Sequence, residues 1–97
     1  MNELIKNAIE HKRLLRFYYD DGLRVVEPFC YGLSSAGHQV LRAYQVAGYS
    51  KSGPPVGWRL YKLSDMKNIA LADERFEIIR PGYNPNDSGM TQIYSRV

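Results

Sequence analysis

The chain has one cysteine, Cys30, so no internal disulfide can form and every zinc pattern built on several cysteines is excluded. Such a residue reads as a small apolar side chain packed on a strand, not as a redox centre. Apolar runs are short and broken by charge, and none approaches the ~20-residue span of a membrane helix. The opening "MNELIKNAIEHKR" carries an acid and lacks the apolar h-region of a secretory signal, which reads as a soluble, cytoplasmic protein. Carboxylates are missing from the whole middle of the chain. None occurs from Pro28 to Ser64, a span that holds Arg42, Lys51, Arg59 and Lys62, while Asp20 and Asp21 precede it and Asp73, Glu74 and Glu77 follow. The two histidines, His11 and His38, have no assignable nucleophile and no ligand spacing. Asp20 and Asp21 sit in a turn, where adjacent side chains diverge, with no third group to tune them for acid-base work. The expectation is a protein that is not an enzyme and needs neither cofactor nor metal.

What is present suits one small globule. The 97 residues are 44% hydrophobic and 12% aromatic, enough apolar surface to offset the entropy of ordering, and the net charge is a modest +3. Asn2 is placed to cap a helix whose stripe is Leu4, Ile5, Ala8 and Ile9, with His11, Lys12 and Arg13 at its negative end. "LLRFYY" and "RVVEPFCYG" alternate as strands about the turn "DDG", and Pro28, which has no N–H to donate, predicts a bend or an edge. "SSAG" turns into "HQVLRAYQVA", where His38, Val40, Arg42 and Tyr44 share one face. "GYSKSGPPVG" reads as a long exposed loop leading into "VGWRLYKLSDM", where Trp58, Leu60 and Lys62 alternate with Arg59, Tyr61 and Leu63. The stretch "SDMKNIALADERFEII" predicts a turn capped by Ser64 or Asp65, then a strand around Phe76, Ile78 and Ile79. "PGYNPNDSG" is turn-forming, and "MTQIYSRV" is a last strand or a frayed tail. A helix followed by four or five short strands is mainly β, predicting a strongly curved antiparallel sheet or a small barrel.

Cations interleaved with rings suit phosphate neutralisation and base stacking. Arg42 and Tyr44 share a face, so a guanidinium could hold a phosphate beside a stacking ring; the plainer alternative is a solvated Arg beside a half-buried Tyr. Arg59 shares its face with Tyr61 and must emerge at a rim or pair internally, with Glu27 a candidate partner. Arg24 contributes from the neighbouring hairpin or pairs with Asp20 or Asp21. Lys62 and Tyr19 complete the set, though an exposed lysine usually serves solubility and Tyr19 a core. Trp58 either packs under the loop or offers a stacking face.

The stretches "AIEHKRLLRFYYDDG", "RVVEP" (Arg24 to Pro28), "VLRAY" (Val40 to Tyr44) and "WRLYKLSDM" together resemble a WYL domain, a small module of bacterial transcription regulators and phage-defence systems. The resemblance implies an Sm-like β-barrel over residues 1–80, followed by a turn-rich tail over 81–97. It also implies a sensor whose basic, aromatic surface takes an anionic ligand, a nucleotide or a single-stranded nucleic acid. The tripeptide that names the family falls on Gln39, Val40 and Leu41, so its Trp and Tyr are absent. Asp65 and Met66 stand where the family pattern has Arg and Ile. The chain has no room for the helix-turn-helix that accompanies most members. The competing expectation is a protein-interaction or self-assembly module, a homodimer included, in which the β-prone "MTQIYSRV" adds to a neighbour's sheet edge.

Overall fold

The computed structural model describes residues 2–50 and 54–97; Lys51, one of the cations counted above, lies outside them. Helix α1 (Glu3–His11) begins where the Asn2 side chain accepts the Ile5 N–H at 3.1 Å and ends at Lys12 in the left-handed region. His11 stays at the helix end, its ring 3.0 Å from the Asn7 carbonyl. Strands β1 (Arg13–Tyr19) and β2 (Gly22–Leu33) form the expected hairpin. Asp20 and Asp21 both have positive φ, 51° and 61°, the backbone of a two-residue turn whose twist matches the strands it joins.

β2 organises the sheet. One edge pairs along its length with β3 (Gln39–Gly48). The other edge pairs first with β1, up to Val26, and then, from Cys30, with β6 (Gln92–Arg96). Pro28 sits in the interval, where the β3 register also slips by one residue, so the bend expected from the missing N–H is present. That slip moves Tyr31 to the face of Leu41 and leaves Phe29 and Cys30 on the other side. β4 (Gly57–Lys62) pairs with β3, and a short 3-10 turn, η1 (Leu63–Asp65), leads to β5 (Lys67–Arg75), which pairs with β1.

Two expectations are corrected. The last long strand is 67–75 and not the region of Phe76, Ile78 and Ile79, because cross-strand pairs Arg13–Asp73 and Arg16–Glu74, at 3.2 and 3.1 Å, anchor the earlier segment on β1. The sheet order β4-β3-β2-β1-β5 ends in two strands that do not pair with each other among the described residues. The sheet is therefore open, and the expected barrel is not closed. β5 carries two register shifts and a left-handed Asn68, irregularities that bend a strand and interrupt pairing.

Each face has its own packing. The inner face brings Leu15, Phe17, Val26, Tyr31, Leu41, Ala43 and Tyr61 against Ile5, Ala8 and Ile9 of α1. On the outer face lies the chain from Phe76 to Met90, with Phe29 touching the rings of Trp58, Phe76 and Tyr83 at 5.0 to 5.1 Å. The radius of gyration is 12.1 Å, as expected for one unit of this length. Among the described residues, no helix is long and apolar enough to cross a membrane.

Candidate functional site

Arg24 lies opposite Phe17 in the β1–β2 ladder, which sends a guanidinium onto the core face. It is only 4% exposed. An unpaired cation there would cost several kcal/mol, so its surroundings matter. The rings of Tyr19, Tyr49 and Tyr61 stand 5.7, 5.5 and 6.0 Å from its central carbon, a cage of negative ring faces. Its Nη1 donates to Gln45 Oε1 at 3.1 Å and its Nη2 to the Tyr19 carbonyl at 3.3 Å. The Asp20 carboxylate is 4.0 Å away, a contact too long to neutralise it fully. Its Nε is buried with no acceptor.

Gln45 fixes this arrangement. Fully buried, it accepts from Arg24 and from the Tyr61 hydroxyl at 2.8 Å, and donates to the Ala47 and Tyr49 carbonyls at 3.2 and 2.8 Å. Burial raises the Tyr61 phenol above its ordinary value despite the nearby guanidinium, so the ring stays neutral. Gly22 makes room for the cage: a Cβ there would meet the Tyr49 ring at 2.2 Å.

Arg59 reaches the same region from β4. Register places it opposite Ala43, on the inner face with Tyr61. Its Nη1 donates to the Trp58 carbonyl at 2.9 Å, and its Nη2 to Ser50 Oγ at 3.3 Å and to the Pro54 carbonyl. Among the described residues, no carboxylate pairs with it. Arg24, Arg59, Tyr19 and Tyr61, with Asp20 and Ser50, line one cavity of about 140 Å³. A larger hollow of about 460 Å³ shares Tyr19 and Asp20 with it, but Asp20, Asp21 and Asp65 outnumber Lys67 in its lining, which disfavours an anion. The cationic chemistry sits in the smaller cavity.

Arg42 and Tyr44 are elsewhere. They oppose Leu60 and Trp58 in the ladder, and strand alternation points them to the outer face, away from Arg59. Asp87 receives Arg42 through two bonds of 2.7 and 3.3 Å, and its carboxyl is held below the usual range chiefly by them. Glu27 takes two bonds from Arg80, at 2.8 and 2.9 Å, and not the expected Arg59, which lies across the sheet. Arg80 covers the Tyr44 ring at 4.6 Å, while the Trp58 indole meets Tyr44 edge-on at 5.5 Å and donates to the Pro81 carbonyl. Trp58 thus packs beneath the segment after Arg80. Lys62 donates its backbone N–H to the Tyr19 hydroxyl at 3.1 Å, and its side chain borders a separate hollow with His38 and Ser64.

Of the residues read from the sequence, Arg24, Arg59 and Tyr19 therefore share a cavity; Arg42, Tyr44 and Lys62 do not line it. Gln45, Tyr49 and Ser50 were not foreseen. A signal for Gln45 existed, a polar residue on the same alternation as Leu41 and Ala43, whereas Tyr49 and Ser50 read only as loop. In comparisons with known proteins, no family model, no curated protein and no solved structure matches the chain.

Proposed function

We propose that this chain is a non-catalytic binding module that seats an anionic group, the phosphate of a nucleotide or of a single-stranded nucleic acid, between Arg24 and Arg59. The observation that carries the reading is the meeting of two guanidinium groups from β2 and β4, strands separated by β3, in one cavity where Arg59's partners among the described residues are carbonyl and hydroxyl oxygens. A guanidinium held by neutral oxygens keeps its charge available, and a phosphate would exchange neutral hydrogen bonds for charge-assisted ones. About 140 Å³ suits a phosphate or carboxylate head and leaves the rest of the ligand outside. There Tyr49, 47% exposed, offers a ring for a base. The WYL resemblance supports the same reading, since Arg24 and Arg59 fall in two of its stretches. An Sm-like architecture, a cytoplasmic location and a place in transcription regulation or phage defence belong to this proposal.

Fluorescence polarisation with a labelled single-stranded oligonucleotide tests it. Arg59→Gln is expected to weaken binding about tenfold or more, the loss of one charge-assisted contact. With one phosphate neutralised, the slope of log affinity against log salt is about −0.7. Arg42→Gln, on the far face, leaves affinity within about twofold once the folded fraction is matched. Affinity unchanged in Arg59→Gln, or insensitive to salt, refutes the proposal.

A further inference from the structure

Between β5 and the outer-face packing, the chain crosses the surface as Phe76-Glu77-Ile78-Ile79-Arg80, with no regular secondary structure. Phe76 is buried, its N–H bonded to the Lys12 carbonyl at 2.9 Å and its ring on Phe29. The two isoleucines that follow face water: Ile78 is 71% exposed, more than any other large apolar residue described, and Ile79 45%. Adjoining isoleucines left in water forfeit burial that a partner can supply. Beside them is a groove of about 400 Å³ lined by Phe76, Ile78, Arg75 and Glu77, with the Glu27–Arg80 pair along it. Arg75 and Glu77 flank Phe76, both are exposed, and the side chain of neither makes a hydrogen bond or ion pair with any described residue.

We infer that this surface binds a second copy of the same chain about a twofold axis, Ile78 of each copy entering the other's groove and Arg75 of each meeting Glu77 of the other. The charges choose the occupant. A patch in which one cation and one anion, unpaired among the described residues, flank Phe76 in the groove beside the Ile78 knob is complementary to itself, and a twofold contact uses both charges twice. A uniformly basic or acidic partner would leave one of them opposed by like charge. The contact is small beside the ~1,600 Å² of a standard interface, so the dimer is weak and dissociates on dilution. The face lies apart from the Arg24–Arg59 cavity: the two share no lining residue.

The test is molar mass by light scattering and sedimentation velocity over a concentration series, with circular dichroism to confirm the fold of each variant. The wild-type chain is expected to move toward twice its monomer mass as concentration rises, less so at high salt. Ile78→Asp and Glu77→Arg each raise the dimer dissociation constant at least about tenfold. Arg75→Glu does the same, yet an equimolar mixture of Glu77→Arg and Arg75→Glu associates again, because each cation then faces an anion across the axis. Monomer mass at every concentration overturns the inference. So does a dimer that survives Ile78→Asp, or a mixture of the two charge variants that fails to associate.

Discussion

Replacing Asp87 by Ala probes how the stretch after β5 is held to the sheet. Asp87 is 6% exposed and serves three donors: Arg42 Nε at 2.7 Å, Arg42 Nη2 at 3.3 Å and the Gly89 N–H at 2.8 Å. Removing one partner of a fully buried ion pair costs about 3–5 kcal/mol. The Arg42 side chain keeps 29% of its exposure and some hydration, which lowers the expected cost to about 2–3 kcal/mol, including the orphaned N–H. For a domain of this length that is a fall in Tm of roughly 10–20 °C. Urea unfolding of wild type, Asp87→Ala, Arg42→Ala and the double variant isolates the pair, with a coupling expected near 1–2 kcal/mol. The pH dependence has a definite sign. Because the folded carboxyl titrates below its unfolded value of 3.8, its stabilisation is complete above that value and is lost as pH falls through the folded one. The gap between wild type and Asp87→Asn should therefore narrow below about pH 4. A loss under about 0.5 kcal/mol at pH 7, or no coupling with Arg42, refutes the argument.

Further outcomes follow from single residues. Burial pushes the Cys30 thiol to about 11, so at pH 8 it should resist alkylating reagents in the folded chain and react promptly in denaturant; equal rates would contradict its placement. The same shift leaves stability unchanged up to the unfolded value of 9.0 and lowers it as pH climbs toward 11, which a Cys30→Ala comparison in urea can separate. Asp21→Gly relieves a positive φ of 61° at the β1–β2 turn and should stabilise by about 0.5–1 kcal/mol in thermal unfolding; a loss would mean the turn is differently built. Gly22→Ala should displace Tyr49, whose ring lies 2.2 Å from the added Cβ, and lower the affinity of the Arg24–Arg59 cavity as well as stability. Unchanged affinity would show that Tyr49 has no part in binding.

The helix, the first hairpin and the alternation of β3 and β4 were legible because local signals agree: the Asn2 cap, the apolar stripe, the "DDG" turn and period-two patterning. Alternation alone correctly parted Arg59 from Trp58, but it cannot say which face of β3 joins which face of β4. That is a matter of register, and register put Arg42 with Leu60 and away from Arg59. The end of the chain was the least legible part. "PGYNPNDSG" has turn composition, yet the segment supplies Asp87 to Arg42 and lays Tyr83 on Phe29, and the preceding Arg80 pairs with Glu27; these partners lie 45, 54 and 53 residues away and no local pattern announces them. Long-range pairing also placed "MTQIYSRV": its residues Gln92–Arg96 form β6 on β2 of the same chain. The carboxylate-free middle was a true feature of the sequence, but one of its cations, Arg42, is paired in space with Asp87 from outside it, while Arg59 has no carboxylate partner among the described residues.

The most direct test of the binding claim observes the two guanidinium groups themselves. In a ¹⁵N NMR titration with adenosine 5′-monophosphate, the Nε–H resonances of Arg24 and Arg59 should shift together and saturate, while that of Arg42, held by Asp87, stays in place. Saturating shifts at Arg42 with none at Arg24 and Arg59, or no shift at any of them, would contradict it.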